Sequence, residues 1–130
     1  MRRRTLRSAK RPKKKRTAVK SDAERYHHSV YVVLLHDDIL KHRWVVRKNP
    51  ARDPMKPAVY VGMTGLPVDH RLQNHLNGYK SATVVRKYGV RLLPELFEHL
   101  NPMPFDAAAQ MEKDLAEDLR AEGYAVLGGT

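Results

Sequence analysis

The 130-residue chain contains no cysteine, so disulfides, thiolate metal sites and thiol nucleophiles are excluded. It has no long hydrophobic run either. Its longest aliphatic and aromatic stretch, Val30 to Leu35, is far too short to span a bilayer, and no membrane association is expected. The N-terminus is basic but lacks the apolar segment of a secretory signal, so the expectation is a cytoplasmic protein, with a place at the nucleoid compatible with it. Beyond residue 20, one-sided charge is also lacking. Of the 25 Lys and Arg, eleven lie in residues 1–20, where there is no acid, and the other fourteen are matched by fourteen Asp and Glu. The net charge of +11 therefore resides in the first 20 residues.

A block of that composition repels itself and has little apolar surface to bury, so residues 1–25 read as a disordered basic tail. Its natural partner is a polyanion, held by counterion release without regard to sequence. Arg2, Arg3, Arg4, Arg11, Lys13, Lys14, Lys15 and Arg16 are the tail residues expected to bind nucleic acid, together with Lys80, Arg86 and Lys87 further on. A solubilising or targeting extension is the plainer alternative.

Residues 26–130 are long enough for one domain with a modest core. Ser29 to Leu35 reads as a strand covered on both faces, because its apolar residues do not alternate. Residues 36–57 are rich in turn signals, with Asn49-Pro50 and Asp53-Pro54 marking a long loop after a short helix. Val59-Tyr60-Val61-Gly62 is a second strand. Pro67 suits a first helical position, and the helix runs to Asn77 with Gly78 as a left-handed cap. In it Val68, Leu72 and Leu76 form an apolar stripe, and Arg71 and His75 share its flank. Ser81 can cap a helix through Tyr88, and Val90 to Leu93 is a third strand. Asp106 can cap a last helix ending near Gly123, with Ala107, Ala108, Met111, Leu115 and Leu119 inward and Glu112 at the edge of that stripe. The expected architecture is a small α/β (α+β) domain: a short, mainly antiparallel three-stranded sheet flanked by helices.

Tyr60-Val61-Gly62, Thr64, Arg71, His75 and Gly78 resemble the second motif of the GIY-YIG nucleases and the helix after it. Ser29-Val30-Tyr31-Val32-Val33 is similar to the first motif, with serine for its glycine. Ala108 to Glu112, followed by Leu115, Leu119 and Gly123-Tyr124, resembles the helix bearing the family's metal-binding glutamate. The likeness spans roughly residues 29–128. Residues 36–57 would then be an insertion, since the family joins its two tyrosine motifs by a shorter hairpin.

The resemblance implies a metal-dependent endonuclease that hydrolyses phosphodiester bonds, of DNA rather than RNA, with little intrinsic sequence specificity. It implies catalytic roles for Tyr31, Tyr60, Arg71, His75 and Glu112. Glu112 would hold one Mg²⁺ or Mn²⁺, and Arg71 would bind the scissile phosphate, which suits its planar fork. The two tyrosines would orient or deprotonate water, with His75 assisting. Taken singly, each has an ordinary reading: half-buried core phenols, a surface arginine, a satisfied histidine, a helix-edge acid.

The family's asparagine beyond the catalytic helix is missing, with Ala125 at its place. That leaves open a non-catalytic protein, associated with DNA or a ribonucleoprotein and anchored by its tail. A protein-interaction adaptor is a third class, recognisable by binding insensitive to salt. A protein partner would supply the specificity that a single small domain lacks.

Overall fold

The computed structural model describes residues 26–129. Strand β1, Ser29–Leu35, is the centre of the sheet. Val30, Val32 and Val33 are completely buried and Tyr31 is 2% exposed, so both faces of this strand are covered, as the unbroken apolar run requires. Strand β2 spans Ala58–Thr64, β3 Gly89–Leu92 and β4 Ala125–Gly128, and the sheet order is β3-β1-β2-β4.

The sheet is therefore four-stranded and mixed, in place of the expected three-stranded, mainly antiparallel one. β1 pairs antiparallel with β2 and β3, whereas β4 lies parallel to β2, with Ala58 opposite Ala125 and Tyr60 opposite Leu127. β4 escapes a sequence reading because it is short, opens on a poor β-former and is bracketed by glycines. Its stability comes from tertiary burial: Ala125, Val126 and Leu127 are all in the core.

Residues 36–57 are more ordered than their turn signals suggest. A 3-10 helix, Asp37–Lys41, leads into helix α1, Arg43–Lys48. Ile39 and Val45 anchor the two helices in the core. Asn49 is also buried, with its amide fully used. Its Nδ2 donates to the carbonyls of Val45 (2.9 Å) and Val126 (3.3 Å), and its Oδ1 accepts from Val126 N–H (2.9 Å) and Arg120 Nε (3.1 Å). Asn49 thus ties this segment to β4. Replacing it by alanine leaves several buried polar groups without partners. The expected loss is on the order of 2–4 kcal/mol of unfolding free energy, measurable by urea denaturation.

Helix α2, Val68–Asn77, ends at Gly78 in the left-handed region (φ 85°), as expected, while Pro67 is its N-cap and not its first residue. The buried stripe is also displaced. Leu76 is 38% exposed, and His75, expected on the flank, is 0% exposed. The imidazole can be buried because both its nitrogens have partners. Helix α3, Thr83–Tyr88, begins after Ala82, and no side chain caps it, Ser81 included. Helix α4, Phe105–Ala121, follows Pro104, not an Asp106 cap; Ala108, Leu115, Ala116 and Leu119 are its buried residues, while Ala107 is exposed.

Candidate active site

Tyr31 stands opposite Gly62, and Tyr60 opposite Val33, which puts the two phenols diagonally on one face of the sheet. Their rings are 6.4 Å apart. The Tyr31 ring crosses β2 at Gly62, where a Cβ would lie only 2.5 Å from its Oη and 2.6 Å from its Cζ. The glycine of Tyr60-Val61-Gly62 is therefore required by the tyrosine of the neighbouring strand.

α2 closes over this face. His75 Nε2 lies 2.8 Å from Tyr31 Oη, and His75 Nδ1 accepts the Ala82 N–H at 3.0 Å. A nitrogen that accepts from a backbone amide carries no proton of its own, so the neutral ring bears its hydrogen on Nε2. Nε2–H then donates to Tyr31 Oη, leaving the phenol's own proton to point elsewhere. Burial, with the Arg71 guanidinium adding to it, lowers the His75 pKa to about 4. His75 is a neutral hydrogen-bond donor at physiological pH. Its ring also meets Tyr60 edge-on, with centroids 5.9 Å apart.

Arg71 is one turn before His75 on α2, and its Nη2 donates to the Lys80 carbonyl at 2.9 Å. Lys80 has a positive φ of 47°, which turns the chain midway along the α2–α3 connection. This bond steadies the half-buried guanidinium beside the two tyrosines. The Tyr31 pKa is raised, chiefly by burial and next by Tyr60, while Arg71 pulls the other way. Tyr60 is raised by burial and then by Glu112, again with Arg71 opposing. Both phenols are protonated near neutral pH.

Glu112 is half-buried on α4, and its charge reaches both tyrosines. Burial raises its pKa, with Lys113 offsetting part of the effect. Among the described residues its carboxylate makes no hydrogen bond or ion pair. A partly desolvated carboxylate with no ion pair in contact could anchor a cation. No group of three His, Cys, Asp or Glu that could hold a metal occurs among the described residues. Glu112 is the carboxylate of the cluster that could hold a hard divalent ion, with water and substrate oxygens as the other ligands.

The structure therefore brings Tyr31, Tyr60, Arg71, His75 and Glu112 into one cluster. Lys80 is exposed next to Arg71's anchor, and Arg86 and Lys87 are exposed on α3. The eight tail cations lie outside the described residues. Ala125 is buried opposite Ala58 and brings no amide to the site. Asn101 is engaged elsewhere, its side chain pairing with the Val30 backbone N–H (2.9 Å) and carbonyl (2.7 Å). A separate cleft of about 700 Å³ is lined by Leu72, Leu92, Phe97, Asp69, Arg91 and Glu98 among others, and contains none of the five. Two backbone groups at the site have no side-chain signal in the sequence, the Ala82 amide and the Lys80 carbonyl.

Compared with protein-family models, with curated proteins and with solved structures, the chain matches none. Among the described residues no helix is long and apolar enough to cross a membrane.

Proposed function

We propose that this protein is a metal-dependent endonuclease of GIY-YIG type, acting on nucleic-acid phosphodiesters, with DNA as the substrate. One observation carries the reading: a tyrosine is held by a neutral imidazole while a second tyrosine, a guanidinium and an unpaired carboxylate bear on it. Such a convergence of titratable groups is what phosphoryl chemistry needs and a packing core does not.

Arg71 binds the scissile phosphate and offsets its developing charge. Glu112 would hold the Mg²⁺ or Mn²⁺, which when bound would supply Lewis acidity and lower the pKa of water. The protonated phenol of Tyr60 orients water or a phosphate oxygen. Tyr31 accepts a proton only as its anion, and the two groups that favour this anion are His75 Nε2–H and Arg71. The basic tail supplies sequence-independent affinity through its concentrated charge.

The rival reading, a nucleic-acid-binding protein that does not cut, rests on Ala125, where the family places an asparagine. Incubation with supercoiled, branched and single-stranded DNA, with and without Mg²⁺ or Mn²⁺, decides between them. Cleavage that requires the metal is expected. Binding without cleavage at excess enzyme and long times would leave the rival standing.

A further inference from the structure

The segment between β1 and β2 concentrates positive charge in a domain whose charges balance only as a whole. Residues 41–52 hold five Lys or Arg and no acid. Lys41 is paired with Asp38 at 3.2 Å, but Arg43, Arg47 and Lys48 of α1 make no ion pair among the described residues. Among them stands Trp44, the single tryptophan of the chain, 42% exposed.

This tryptophan sits in an aromatic group. Its ring centroid is 6.4 Å from that of His42, and His42 Nε2 is hydrogen-bonded to Tyr88 Oη at 2.9 Å. α1 is itself fixed by buried Val45 and by Asn49. Together they form a preorganised surface with an indole on show between cations. Exposed apolar neighbours of Trp44 are few, Val46 being the one on α1, so the patch complements a polyanion better than an apolar protein face.

α3 joins this surface to the site. The amide preceding its first residue, that of Ala82, binds His75, and its last residue, Tyr88, binds His42. The helix is about 9 Å long at 1.5 Å per residue, short enough for a single strand to bridge in a couple of nucleotides. Arg86 and Lys87 are exposed along it.

We infer that α1 and the end of α3 form a platform for single-stranded DNA beside the cleavage site. Trp44 stacks on an unpaired base, and Arg43, Arg47 and Lys48 hold the flanking phosphates. The faces of paired bases are covered by their neighbours in a duplex, so an indole reaches one only where the strand is unpaired. The inference rests on the nucleic-acid reading above and adds the strandedness of the substrate.

The test uses the full chain in chelator, so that nothing is cut. A fluorescein-labelled oligothymidylate and a labelled duplex of equal length are titrated in turn. Label anisotropy reports binding, and tryptophan emission reports Trp44 alone. The single strand should quench Trp44 in step with its anisotropy, while the duplex binds with little quenching. Trp44→Ala should weaken single-strand binding about tenfold, and Trp44→Phe should retain most of it. Arg47→Ala should flatten the dependence of log affinity on log salt by about one. Single-strand binding without quenching, equal quenching by duplex, or unchanged binding by Trp44→Ala would each overturn the platform and leave the nucleic-acid reading intact. Failure of both probes to bind overturns the two together.

Discussion

Replacing Glu112 by glutamine is expected to lower metal-dependent cleavage about a hundredfold or more while leaving the electrophoretic shift of DNA in place. The carboxylate is the one acidic group of the cluster, so on the proposed reading its loss removes the cation's anchor and takes away no positive charge that would meet DNA. Arg71→Ala is the contrasting variant, expected to lose affinity at the site as well as rate. A second readout separates the metal role from a structural one. Burial raises the Glu112 pKa, so the folded state holds this proton more tightly than the unfolded state. By linkage, its contribution to stability is present below the ordinary carboxylate pKa and lost as pH rises through the raised one. At neutral pH without metal the charged group therefore subtracts stability. The glutamine variant should melt at or above the wild-type temperature in chelator, and Mg²⁺ or Mn²⁺ should raise the melting temperature of the wild type only. Equal trace cleavage by both proteins would mean the activity is a contaminant, and the non-catalytic reading would replace the enzymatic one.

Acidification should destabilise the fold through His75. Its pKa is lowered from the ordinary 6.5 to about 4, so between those values the unfolded chain binds a proton that the folded chain refuses. Stability contributed by the neutral ring is complete above pH 6.5 and is lost as pH falls toward 4. The gap corresponds to a loss on the order of 3 kcal/mol if every other group is held constant. Protonation would put a hydrogen on Nδ1, facing the Ala82 amide, and a charge in a completely buried position. His75→Asn offers an oxygen where Nδ1 stood and cannot titrate. Urea denaturation across that range should show a steeper fall for wild type than for His75→Asn, although the variant starts less stable at neutral pH. Parallel curves would show that the imidazole is not the group responsible.

The strand pair and the end of α2 could be read from residue order because they depend on local patterns. The apolar run of β1, the turn at Thr64-Gly65 and the cap at Gly78 each encode their element within a few residues. Tyr31, Tyr60, Arg71, His75 and Glu112 were legible as a set only through resemblance, since each alone has an ordinary reading. β4 was not legible, because Ala125 to Leu127 become a strand only through their pairing with β2. The burial of His75 was hidden for a related reason. A histidine on a helix flank reads as polar until a phenol from another strand and an amide from the next helix satisfy it. Asn49 read as a loop marker beside Pro50, whereas its side chain acts as a fragment of backbone for β4. The cationic face of α1 was in plain view as composition, but its rigidity and its connection to His75 through α3 required coordinates.

The bond between Asn49 and Val126 joins residues 77 positions apart. Its formation must wait for loop closure over most of the domain, and such pairings form slowly relative to local helices. A chain in which β1, β2 and α2 have already met still has α1 without its tether. The rigidity of the Trp44 face is thereby coupled to the docking of β4, residues far away in sequence.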